Sequence, residues 1–154
     1  MNRREELVYN DEYAAYVDSQ RKKTIIIVAM FVVIAVIAAV MINGSDVSAR
    51  QMAGVWALLV SALGVFASIH RFLIIKTLPP TVKVGAGAAI ETLLDQGDRS
   101  AHVTVRTEDA LNGREVVAAN PGSVEPGDYV LIASGSAFGR GVCFLKKKGG
   151  EFKH

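Results

Sequence analysis

Residues Lys22–Gly44 read KKTIIIVAMFVVIAVIAAVMING, and nineteen of them, Thr24 to Ile42, pass without a charge. At about 1.5 Å per helical residue, such a run matches the roughly 30 Å hydrocarbon core of a bilayer. A second run of eighteen uncharged residues, MAGVWALLVSALGVFASI (Met52–Ile69), follows a short polar link and continues beyond His70 and Arg71 as FLII to Lys76. The competing reading is a pair of buried helices in a soluble core, but five charge-free turns are unusual there. The sequence therefore predicts a hairpin of two transmembrane helices, over residues 24–78.

The residues flanking the two runs set the expected topology. Arg3, Arg4, Arg21, Lys22 and Lys23 precede the first run, and Arg71, Lys76 and Lys83 follow the second, whereas the link NGSDVSARQ holds only Arg50. Basic residues resist translocation, so both termini are expected in the cytoplasm. Asn43-Gly44 is a suitable helix stop, since glycine and asparagine tolerate a left-handed C-cap. A cleaved signal peptide is not expected, because 23 residues with five acids lie ahead of the first run. The lone cysteine, Cys143, excludes an intrachain disulfide and suits a reducing compartment. A hydrophobic content of 51% and a mean hydropathy of +0.30 agree with a chain that is part membrane, part soluble.

Ahead of the first run, residues 1–23 form the expected cytoplasmic segment, in which an amphipathic helix starts at an N-cap of Asn10 or Asp11 and runs into the first span. Tyr9, Tyr13 and Tyr16 recur there at helical spacing. With Lys22 and Lys23 they are expected at the membrane surface, where a ring with a polar tip sits well at headgroup depth; the alternative is a docking face for a partner. In the second run, Gly54, Ala57, Ser61, Gly64 and Ser68 recur at steps of three and four, which places them in one stripe. Small residues let another backbone approach closely, and in lipid this packing holds helices together. Ala35, Ala38 and Ala39 of the first run could receive the stripe, and so could another subunit.

Pro79-Pro80 ends the second helix, because proline lacks the backbone donor and biases its predecessor toward extended structure. Residues 79–154 then read as a small all-β domain. Residues 81–85, 101–107, 114–119, 128–134 and 141–147 are rich in β-branched and aromatic side chains. Turn signals separate them at Gly97-Asp98, Asn112-Gly113, Pro121-Gly122, Pro126-Gly127 and Gly139. Residues 86–97, AGAAIETLLDQG, fit either a strand or a short helix. Five or six short strands in about seventy residues suit a closed, OB-like barrel, which leaves no free edge.

The order of elements resembles the short NfeD-type membrane proteins. The resemblance rests on VGAGAA (Val84–Ala89), NGREVVAA (Asn112–Ala119), VEPGDYVLI (Val124–Ile132) and GRGVCFLKK (Gly139–Lys147). It departs from that pattern after the entry glycines, where ETLLDQGDRS stands. The resemblance implies a bacterial inner-membrane protein whose barrel docks a ring or cage protein of the stomatin and flotillin type, without enzymatic activity.

Chemical signatures are sparse. His70, His102 and His154 have no second histidine or cysteine at ligand spacing, so no metal or other cofactor is expected. The glycines of GAG (85–87) and GSAFGRG (135–141) lack a phosphate-cradling GxxxxGK[ST] pattern and read as turns. Neither Ser134 nor Ser136 has an identifiable base, so no catalytic residue or small-molecule substrate is expected. From Thr81 to His154 nine basic residues balance nine acidic ones, which disfavours nucleic acid. Lys146, Lys147 and Lys148 are the strongest basic feature, expected either at the membrane surface or as solubilising charges at a strand end.

The reading from sequence is therefore a non-catalytic assembly subunit that contacts lipid and protein partners in a homo- or hetero-oligomer. Ser134, Gly135, Ser136, Phe138 and Arg140 form the expected partner-contact loop. An accessory subunit of a secretion, conjugation or phage-derived machine, and a lipid- or nucleic-acid-binding module, are the alternatives.

Overall fold

A computed structural model describes residues 2–44, 48–94, 101–107, 113–120 and 122–146 of the chain. Two compact units form: Ser19–Thr77, and a second that joins Met1–Asp18 to Leu78–His154.

The first unit is helical, built from α2 (Asp11–Asn43) beyond Asp18 and from α3 (Ser48–Thr77); the short helix α1 (Arg3–Val8) and the first residues of α2 belong to the second unit. Both α2 and α3 are long and apolar enough to cross a membrane, and only 6% and 11% of their most apolar windows are buried. Such low burial is unlike that of helices in a soluble core, which hide most of their surface. Within α2, the less exposed positions Thr24, Val28, Phe31, Ala35, Ala38 and Ile42 follow steps of four and three. That 3.5-residue period keeps one seam of a helix facing a neighbour. At the C-terminal end of α3, Leu78 takes a left-handed backbone (φ 47°) ahead of the two prolines, which stops the helix.

The second unit is a five-stranded β domain: β1 (Lys83–Leu94), β2 (Ala101–Thr107), β3 (Glu115–Ala118), β4 (Tyr129–Ser134) and β5 (Val142–Leu145). The sheet curls until its pairings run round as β1-β2-β3-β5-β4 and return to β1. All pairs are antiparallel except β3–β5. β1 makes the closure possible. Its first half pairs with β4 and its second with β2, while Gly87 and Ala88 pair on both sides. The segment that fitted either helix or strand is thus extended through Leu94; residues 95–97 lie outside the described residues. Glycines at 85 and 87 suit a strand that must bend sharply.

Alternation fills the interior. In β2, Val103 and Val105 point into a core shared with Ala89, Val116, Ala118, Val124, Val130, Ile132 and Cys143. The turn before β4 follows from EPGD: proline occupies the second position, Gly127 the third at φ 95°, and the Asp128 carboxylate accepts from the Glu125 amide at 2.8 Å. Gly127 also donates to the Ala89 carbonyl at 2.8 Å, which ties this turn to β1.

Candidate docking and anchoring sites

β4 breaks the alternation. Val130, Leu131, Ile132 and Ala133 are all buried, and on β5 both Cys143 and its neighbour Phe144 are fully buried. Since successive side chains point to opposite faces, both faces of β4–β5 are covered. Val130, Ile132 and Cys143 fill the interior, while Leu131 and Phe144, register partners, face outward.

The outward face is roofed by the N-terminal residues of the same chain. Tyr13 and Tyr16 meet Phe144 edge-on, each at 5.4 Å between ring centroids, and Tyr16 also lies 6.1 Å from Phe138. Such edge-to-face pairs add roughly 0.5–1.5 kcal/mol beyond the area they bury. Asn10 joins the two parts. Its side-chain oxygen accepts from the amides of Glu12 and Tyr13, which caps α2, and its amide donates to the Leu145 carbonyl at 2.5 Å. Glu6 pairs with Lys146, Glu12 accepts from the Asn120 amide, and Leu7 is fully buried.

These contacts redistribute the residues expected at the membrane surface. Tyr13 is only 4% exposed and is packed, with Tyr16, against the chain's own β domain; Tyr9 alone of the three is open, at 78%. Lys146 is held by Glu6 and lies over the Tyr129 ring at 5.0 Å. Lys147 and Lys148 lie outside the described residues, and Lys22 and Lys23 are exposed at the entrance to the apolar run. The partner-contact loop is also divided. Phe138 and Ala137 are buried, Ser134 and Gly135 are half-buried, and only Ser136, Gly139 and Arg140 are exposed. An exposed contact loop over 134–140 is thus only partly present, because the Phe138 ring turns in to complete the aromatic roof.

Burial shifts two groups here. The Tyr13 hydroxyl is pushed up to about 12, first by desolvation and then by repulsion from Tyr16. The Cys143 thiol is also pushed up to about 12 by desolvation. A thiol kept protonated in a core is a poor nucleophile.

In the helical unit, the small-residue stripe turns toward α2. Gly54 and Ser61 are buried and Ala57, Gly64 and Ser68 half-buried. A Cβ added at Gly54 would lie 3.0 Å from the Ala38 carbonyl oxygen, and one at Gly64 would run into the Phe31 ring. The stripe therefore receives the neighbouring helix of its own hairpin. The hydroxyls of Ser61 and Ser68 donate to the carbonyls of Ala57 and Gly64, so neither polar group is left unsatisfied in the apolar span.

Little reactive chemistry gathers elsewhere. His102 contacts Glu115 across β2 and β3, and His70 stacks on Phe66. Among the described residues no group of three His, Cys, Asp or Glu side chains could hold a metal ion. Comparison with family models, with curated proteins and with solved structures gave no match.

Proposed function

We propose that this chain is a non-catalytic membrane subunit whose hairpin anchors a small OB-like barrel at the cytoplasmic face of a bacterial inner membrane, both termini cytoplasmic. The barrel acts as a docking module for a larger assembly, in the manner of the NfeD-type proteins that the sequence resembles. The ring of pairings β1-β2-β3-β5-β4, with a single parallel pair at β3–β5, supports this reading, since a small five-stranded closed sheet is the architecture expected of an OB-like barrel. A ring of pairings leaves a partner no strand edge to extend, so recognition falls to loops. Loop 134–140 fits that role: Phe138 holds it from beneath while Ser136 and Arg140 stay exposed. The partner class this reading implies is a ring or cage protein of the stomatin and flotillin type.

Purification of the full chain from native membranes in mild detergent tests the proposal. The parent protein should elute in a large assembly with such a ring protein, and a Ser136→Arg/Arg140→Glu variant should elute alone. A monomeric parent overturns the docking role, and co-purified secretion or phage components transfer the chain to that class of machine. The nucleic-acid alternative has less support, since Lys146 is already paired with Glu6.

A further inference from the structure

The basic end of the hairpin holds a cleft of about 250 Å³ that helix packing leaves open. Lys23, Thr24 and Ile27 of α2 line it on one side, and Arg71, Phe72 and Ile75 of α3 on the other. Residues three and four apart share a helix face, so each helix delivers one cation and apolar neighbours to the same space. Gln20 and Ser68 complete the lining, and the Ser68 hydroxyl is already donated to Gly64.

The depth of this cleft is set by sequence. Thr24 is the first residue of one uncharged run, and Arg71 lies two residues beyond the other. In a membrane-spanning hairpin this boundary is where lipid headgroups lie. Lys23 and Arg71 are exposed, and among the described residues no carboxylate pairs with either. Two cations on opposite sides of one cleft repel each other until an anion sits between them. The guanidinium fork matches two oxygens of a phosphate, and the ammonium adds a point charge. Ile27, Phe72 and the buried Ile75 give the same cleft an apolar share of its lining. A lining that sets cations beside apolar side chains suits an amphiphile better than a free anion. The volume lies below the roughly 300 Å³ at which pockets for drug-sized ligands begin, so it admits a headgroup and not an entire lipid.

We propose that this cleft binds the headgroup phosphate of an anionic phospholipid, one per hairpin, with the acyl chains lying along the exposed helix surface. The proposal rests on the reading that the hairpin spans a membrane.

The test uses the full chain in nanodiscs of phosphatidylcholine with a minor share of phosphatidylglycerol, released into mild detergent for native mass spectrometry. One phosphatidylglycerol should be retained per chain in preference to phosphatidylcholine. Lys23→Gln/Arg71→Gln should weaken retention roughly thirtyfold and either single variant about fivefold, as basic contacts at the membrane surface are removed. Arg3→Gln/Arg4→Gln, which removes the same charge elsewhere, should leave retention unchanged. Equal loss in that control, or no preference in the parent, overturns the site, and so does displacement of the lipid by inorganic phosphate at equal concentration. The single variants serve the comparison if the double variant does not insert. Alkaline carbonate separates the two readings: a parent released from vesicles overturns the spanning hairpin itself, and a resistant parent without lipid preference overturns only the cleft.

Discussion

The same side chains meet opposite fates in the two units. Val103, Val105, Val130 and Ile132 of the β domain are fully buried, while Ile26, Val36 and Leu63 of the hairpin stay 68%, 59% and 68% exposed. The β domain hides its apolar surface from water, the dominant favourable term in folding. In a bilayer a hairpin of this kind would have no such drive, because an isoleucine gains little by leaving the acyl chains for another helix. What remains is close contact. Gly54 and Gly64 supply it by bringing α3 against Ala38 and Phe31. One unit is thus held by volume, the other by proximity.

Substitutions that remove volume should therefore damage the β domain most. Phe144 is fully buried and meets Tyr13, Tyr16 and Phe138. Phe144→Ala should cost about 3–5 kcal/mol, a large part of a typical domain's stability. Hydrogen exchange in detergent should show lost protection in β4 and β5 with the hairpin unchanged. Substitutions that add volume should reverse the comparison. Gly64→Leu should cost the hairpin about 1–3 kcal/mol, because the Phe31 ring must move aside. Trp56, the only tryptophan, lies in α3 and reports that loss by fluorescence during thermal unfolding in detergent, while β-domain exchange stays at the parent level.

The aromatic roof offers smaller and more selective changes. Asn10→Ala removes both the α2 cap and the tether to Leu145, for about 1–2 kcal/mol. Asn10→Asp retains the cap oxygens and loses only the donor to Leu145. Faster protease cleavage within residues 2–18 should rank alanine above aspartate above the parent. Alkali should loosen the same contact without mutation. Tyr13 ionises near 12 in the folded chain against 10 ordinarily, chiefly because burial disfavours the phenolate. The protonated form is the one the fold favours, so its contribution is complete below pH 10 and is lost as pH rises through 12. Tyr13→Phe should lose less protection of the N-terminal residues over that window. Comparison with the parent cancels the Cys143 thiol, which is displaced upward in the same direction.

Legibility in the sequence followed the strength of the local pattern. The two charge-free runs announce themselves, since five helical turns without a charge are unusual in a soluble core. HVTVR in β2 alternates strictly and folds as it reads, with Val103 and Val105 inside and His102, Thr104 and Arg106 toward solvent. Asn10 was readable as a cap because it precedes a helical pattern. Ala86–Leu94 was ambiguous because small residues favour neither period, and pairing on both sides made it extended. The covered outer face of β4 has a local signal of its own: VLIA at 130–133 lacks the alternation of a strand with one wet face. Its cover could not be named from there. Tyr13 and Tyr16 lie more than a hundred residues from Phe144, and an amphipathic tyrosine face suits a bilayer surface as well as a protein.

By itself, the sequence determined what each segment is chemically: two apolar lengths, a polar link, a double-proline stop, and short β-prone segments with turns between them. These follow from nearest neighbours, where charge, proline and glycine act over a few residues. Only the tertiary structure decided which surfaces meet. The small-residue stripe could have faced another subunit, and the close approach of Gly54 and Gly64 to α2 turned it inward. The tyrosines could have met lipid, and the outward ring of Phe144 drew Tyr13 and Tyr16 onto the β domain. Apolar burial is non-directional, so a segment's pattern states that a face must be covered, and the closing of the chain on itself selects what covers it.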